Sequence, residues 1–274
     1  AQWLSPENNR VIVDATAGHG GHALSLASRM RSDGMLVLVD ARPEALEIAS
    51  RRVAATGVPF IALQGNFRHL AEMLKDQGIE EINGVLYDQG LSSADYDGDL
   101  GYSFRHDAPL DMRRDKTATR SAADLLATLS RRDLAHMFRE LGDEKWADRI
   151  AEAIVEERQR QPINRTSQLV GLIERVVPRS AWPRDIHVAT RCMMALRYAV
   201  NDDLGAIRES IETVAPMLSV GARIVCLSYC STEDRVVKSV LRQLENPCIC
   251  PRGMPVCGCG RKPVLRVLTK RGVR

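Results

Sequence analysis

The chain has 274 residues, 45% of them hydrophobic and 27% charged, with a formal net charge of +3. That composition is that of a globular protein, with room for one large α/β domain or a domain carrying an insertion. It excludes a membrane-crossing segment, since no apolar run approaches the needed length, and the opening residues lack the basic-then-apolar pattern of a secretion signal.

The first third alternates strand and helix. "RVIVDA" (10–15) is an apolar run that predicts a buried strand, and the glycine loop after it opens a helix over "GGHALSLASRM". "GMLVLVDA" predicts a second strand. The helix after it has Pro43 in its first turn and Gly57 as its stop. "VPFIALQG", "FRHLAEMLKDQG" and "INGVLYD" continue as strand, helix and strand. Short apolar strands separated by amphipathic helices predict a parallel sheet covered on both faces, with ligands at the carboxyl ends of the strands. Asp14, Asp40 and Asp88 stand at three such ends.

From about Asp115 to Ile186 no strand is evident. Ser121 and Ser130 cap helical segments, Gly142 ends one, and Trp146, Ile150, Ile154 and Val155 share a face of the next. The expectation is a core domain over 1–114 and 187–274 with a small inserted helical domain over 115–186. Long helices resume at "VATRCMMALRYAVNDDLGAIRESIETVAPML". "ARIVCLSY" predicts a strand, "STEDRVVKSVLRQL" a helix and "PVLRVLTK" a last strand.

Gly18, Gly20 and Ala23 satisfy G-x-G-x-x-G/A, and Asp40 follows at the distance a dinucleotide fingerprint asks. Asp14 immediately before the loop, with Asp40 and Asp88 beside it, would repel a pyrophosphate. The same acids suit S-adenosylmethionine, whose sulfonium and ammonium outweigh its one carboxylate. Any one of these aspartates alone is more often a turn or cap residue; three at successive strand ends favour a ligand. His22 either donates to the ligand or only begins its helix. Phe67 either stacks on an adenine or packs in the core.

Residues 83–115 carry "DQGLSSAD", then the aromatic pair Tyr102 and Phe104 in "GYSF", then "APLDMR". With "DATAGHGGH" before them and "HVATR", "NDDL" and "SYCSTEDR" after them, these motifs follow one another in the order found in the bacterial 16S rRNA cytosine-N4 methyltransferase family (the RsmH or MraW type). The chain resembles that family from about Asp14 to Lys270. The resemblance implies a Rossmann-like class I methyltransferase sheet with an inserted all-helical domain, and S-adenosylmethionine as cofactor. It implies transfer of a methyl group to the N4 amine of a cytosine in the decoding region of small-subunit rRNA.

Carried over residue by residue, the family's donor site falls on Gly20, Gly21, His22, Asp40, Phe67 and Asp88, joining Asp14 and Gly18 of the loop. Asp95 stands where the family has glutamine. Val188 replaces a proline in "HVATR", and Cys230 replaces a histidine in "SYCS". Asp88 is the expected acceptor for the target amine. On the substrate side, Tyr102 and Phe104 are expected to receive the flipped base. Asp111 and Arg113 form an ion pair or Arg113 meets phosphate. His187, Arg191, Asn201 and Ser231 fall in motifs that imply RNA contact, with helix capping the plainer role for Asn201 and Ser231.

The expected partner is 16S rRNA within a small ribosomal subunit or its precursor, in the cytoplasm, away from membranes; a homodimer is allowed. The alternatives are a methyltransferase acting on DNA or a small molecule, and a non-catalytic RNA-binding relative. Seven cysteines suit a reducing compartment better than a disulfide framework. Four of them, Cys248, Cys250, Cys257 and Cys259, make a C-x-C…C-x-C pattern that can bind a metal. From Asn246 onward there is no acidic residue, while Arg252, Arg261, Lys262, Arg266, Lys270, Arg271 and Arg274 are basic, a distribution that attracts phosphate.

Overall fold

The structure, a computed structural model, describes residues 2–90, 100–115, 118–251, 254, 256–269, 272 and 273. Two compact units divide it, one made of 1–90 with 205–274 and the other of 91–204.

The first unit is built on five parallel strands: β1 (Val11–Asp14), β2 (Met35–Asp40), β3 (Phe60–Gln64), β4 (Ile82–Asp88) and β5 (Leu218–Leu227), in the order β3-β2-β1-β4-β5. Helices α1 (Gly21–Ala27), α2 (Pro43–Ala54) and α3 (Leu70–Asp76) make the crossovers. α9 (Asp203–Val214) and α10 (Ser231–Glu245) flank β5. The strands are near-continuous apolar runs because a sheet covered on both faces offers no polar side: Ile12, Val13, Leu36, Val37, Leu38 and Val39 have no exposure. The strand order reverses between β1 and β4, and that reversal places a crevice at their carboxyl ends.

The expected last strand, "PVLRVLTK", is not one. Its amides turn to the end of α10 instead: Val264 N–H donates to Leu244 O (3.0 Å) and Val267 N–H to a Glu245 carboxylate oxygen (2.8 Å). The alternating apolar pattern there leaves Val264 and Leu268 largely exposed, so no sheet face covers it.

The second unit is helical: α4 (Ala122–Thr128), α5 (Arg131–Gly142), α6 (Ala147–Glu157), α7 (Thr166–Val176) and α8 (Thr190–Asn201). Ser121 and Asp124 form a reciprocal capping box at α4, and Ser130 accepts the Asp133 N–H at α5. This unit is wider than the 115–186 expected from the loss of strand patterning. Leu110, Met112, Val188, Ala189, Cys192 and Leu196 are buried in the same core as Phe138, Ile150 and Leu169, so flanking chain on both sides belongs to it. Gly142 does not end α5 by a left-handed turn; Asp143 does, at φ 51°. A Cβ at Gly142 would stand 2.6 Å from the Arg191 carbonyl oxygen, so the glycine lets α8 approach α5.

Candidate functional site: the carboxyl edge of the parallel sheet

β1, β2 and β4 all end on aspartates, as the sequence predicts, and the loop after β1 joins them. Ala15 N–H bonds to Leu86 O on β4 (2.9 Å), and Ala17 N–H to Val39 O on β2 (2.8 Å). Gly18 N–H donates to Asp40 Oδ2 (2.8 Å), and Arg42 N–H to Asp40 Oδ1 (2.9 Å). The loop closes onto α1 through Gly20, at φ 81°, where a Cβ would stand 2.8 Å from Ala49 Cα of α2. No other residue fits that approach. At Gly21 a Cβ would meet nothing within 4 Å, so the loop's outer side is open.

Asp14 departs from the expectation of a three-acid rim. It has no exposure, and burial pushes its carboxyl up to about 7, with the charges of Asp88 and Asp40 adding smaller increments. It lies beneath the rim, where Oδ1 accepts the Thr16 N–H (3.2 Å) and Oδ2 has no hydrogen-bond partner among the described residues. Asp40 and Asp88 form the rim itself, with side chains 13% and 26% exposed.

Asp88 is the most heavily engaged of the three. Its backbone N–H donates to Thr16 Oγ1 (2.7 Å), which ties the end of β4 to the glycine loop. Its Oδ2 lies 3.1 Å from His22 Nε2, and its Oδ1 accepts the Tyr229 hydroxyl (2.8 Å). His22 therefore does more than begin α1: it braces this carboxylate. The bond to Asp88 holds the Tyr229 phenol protonated, pushing it up to about 12. A carboxylate has about four acceptor positions; these two contacts leave room for a further donor.

Tyr229 is the residue at this edge that sequence reasoning passed over. It follows the last residue of β5 by two positions, the same edge that carries the aspartates. Beside it, Gln89 is buried, accepts from Ser228 Oγ (3.4 Å), and leaves its Nε2 without a partner among the described residues. Phe67 is half-buried in a short 3-10 turn after β3, edge-on to Tyr87 with ring centres 6.0 Å apart. Asp95 lies outside the described residues.

The substrate-side expectations fare differently. Tyr102 is buried in the helical core and its hydroxyl donates to Met112 O (3.0 Å), so it is not free to stack on a base. Phe104 is half-buried against His187, ring centres 4.6 Å apart. His187 Nδ1 accepts the Ala189 N–H (3.2 Å), so Nε2 carries the proton and faces Glu174 Oε1 (3.2 Å). Arg113 is held by both Asp111 oxygens and by Ala118 O (2.9 Å), which favours the ion pair over phosphate contact. Asn201 is a clamp rather than a cap: Nδ2 donates to Met112 O (2.7 Å) and Arg197 O (3.0 Å), and Oδ1 accepts Arg114 N–H (2.9 Å). Arg191 lines a recess of ≈ 180 Å³ with Trp146, Val177 and Val188. Ser231 is the first residue of α10; the cap position is Cys230, which makes no side-chain capping bond.

The residues present fit a cationic methyl donor. The rim is acidic, the outer side of Gly21 is open, and a buried acceptor and a buried donor, Asp14 Oδ2 and Gln89 Nε2, lack partners among the described residues.

The family model described as the MraW methylase family matches residues 1–274. The protein named "Ribosomal RNA small subunit methyltransferase H" in Geotalea uraniireducens is 43% identical over 99% of this chain and 88% of its own length. Its namesake in Geobacter sulfurreducens has the same identity and coverage. That of Carboxydothermus hydrogenoformans is 42% identical over 98% of this chain and 86% of its own length.

Proposed function

Because the chain belongs to the MraW methylase family, it is an S-adenosylmethionine-dependent methyltransferase, and we propose that it methylates the N4 amine of a cytosine in the decoding region of small-subunit rRNA. The observation that carries the chemical assignment is Asp88, fixed between His22 and Tyr229 at the β1–β4 reversal. The rRNA substrate is supported by the names of the relatives, and the cytosine amine by the ordered motifs from "DATAGHGGH" to "SYCSTEDR".

S-adenosylmethionine supplies a methyl group on a cationic sulfur, an electrophile that needs no further activation. Asp40 keeps acceptor positions for ribose hydroxyls while two backbone N–H groups fix its orientation. Phe67, backed by Tyr87, offers a ring to the adenine. Asp14, buried beneath the rim, supports the loop from below through the Thr16 N–H.

The amine of cytosine is a weak nucleophile because its lone pair is delocalised into the ring. Asp88 accepts one N–H, which holds the amine out of conjugation and in line for attack. As positive charge grows on nitrogen, a carboxylate already oriented by His22 and Tyr229 stabilises it without rearranging. The proton leaves through the same carboxylate after the methyl has moved; no base is needed beforehand.

The reaction takes place on the small ribosomal subunit or its precursor, in the cytoplasm. Exposed Arg261, Lys262 and Arg266 suit a phosphate-rich surface, and among the described residues no helix is long and apolar enough to cross a membrane. The test is transfer of labelled methyl to small-subunit rRNA, naked or assembled, followed by nucleoside analysis. N4-methylcytidine, absent with Asp88→Asn although donor binding persists, is expected. Label in DNA or a small molecule alone, or no transfer at all, overturns the reading.

A further inference from the structure

The four cysteines after α10 are not used in the methyl-transfer chemistry proposed above, yet they converge. Cys248, Cys250, Cys257 and Cys259 place their Sγ atoms within 4.8 Å of one another, and all four are free thiols. Cys257 is the hub: its sulfur lies 3.6 Å from that of Cys248, 3.9 Å from Cys250 and 3.5 Å from Cys259. Four thiolates about 2.3 Å from one central ion, at the corners of a tetrahedron, stand about 3.8 Å apart. The observed separations are those of that cage. They are far too long for disulfides, whose sulfurs lie about 2.05 Å apart. An iron–sulfur cluster, with several metals and bridging sulfides between its ligands, spreads its cysteines wider.

The charge also closes. Four thiols that lose their protons to solvent and bind a divalent ion make a site of charge −2. No acid lies from Asn246 onward, and Arg261 and Lys262 follow Cys259 after a single glycine.

We propose that Cys248, Cys250, Cys257 and Cys259 bind one Zn²⁺ as a tetrahedral tetrathiolate, a staple between the end of α10 and the basic tail. Zinc suits the role because it takes four thiolates without redox chemistry. The tail returns to α10 just beyond the cage, through Val264 to Leu244 and Val267 to Glu245. The metal therefore fixes the turn that sends Arg261, Lys262 and Arg266 back along the first unit.

The test uses the full chain purified from zinc-replete cells under reducing conditions. Elemental analysis should give one zinc per chain, and a thiol-blocking mercurial should release it as four cysteines react. Cobalt exchanged into the site should show the thiolate charge-transfer and intense d–d bands of a tetrahedral sulfur cage. The Cys257→Ser/Cys259→Ser double variant should lose the metal while its circular dichroism keeps the sheet, and Cys230→Ser should retain it. Wild-type protein without stoichiometric metal, with iron in place of zinc, or with two disulfides among these cysteines overturns the proposal. So does full zinc content in the double variant. None of these readouts depends on methyl transfer, so the site and the activity stand or fall separately.

Discussion

The acidic residues at the sheet edge do different work because their surroundings differ. Asp88 is oriented by two side chains, and Tyr229→Phe removes one of them without changing shape. A hydrogen bond to a charged group contributes about 1.5–3 kcal/mol, so this variant is expected to lower kcat by about tenfold or more with little change in donor affinity; unchanged kcat in single-turnover assays would sink the role given to Tyr229. Asp14 makes a prediction about pH. Its carboxyl is pushed up to about 7 by burial, from 3.8 in the open chain. The folded protein therefore holds a proton that the unfolded chain has released, and stability falls as pH rises between those two values. Asp14→Asn removes that dependence, so urea midpoints of variant and wild type should diverge in the variant's favour from pH 4 to pH 7, by on the order of 2–4 kcal/mol. A constant difference across that range would contradict it. The three aspartates were legible from their place after apolar runs. The depth of Asp14 was not, because burial is decided by what covers a residue. Tyr102 shows the same gap: an aromatic in a glycine-rich motif can receive a base or bond its own turn, and only the position of Met112 O decides.

At the scale of elements, the strands and caps were readable because their signals are local. Ser121 and Ser130 cap the helices they precede, and Pro43 opens α2. "PVLRVLTK" misled because alternation describes a side-chain pattern, and a strand also needs a neighbour to bond. Gly142 was legible as the last residue of α5, but its second role, letting α8 approach α5, was not. Gly142→Ala should therefore destabilise the helical unit by about 1–3 kcal/mol, the usual cost of overpacking, although alanine is the better helix former. Thermal unfolding checks this; a stabilised variant would show that α8 can retreat freely.

For the whole molecule, charge matters more by place than by sum. A net charge of +3 says little, but Arg261, Lys262 and Arg266 lie exposed in a stretch without acids. If each meets a phosphate of single-stranded RNA, replacing all three by alanine should flatten the slope of log affinity against log salt by about 2. Filter binding across a salt series measures it, and an unaltered slope places the RNA elsewhere.

The position of β5 has a consequence for the chain's birth. Gln89 and Ser228, side by side at the ends of β4 and β5, are 139 residues apart in sequence. At a synthesis rate of roughly 5–20 residues per second, β4 emerges with one flank bare and waits on the order of ten seconds for its neighbour. During that interval the nascent sheet presents an apolar, unbonded margin, the kind of surface that recruits chaperones or other nascent chains. The helical unit made in between is rich in local contacts and can fold while the margin waits.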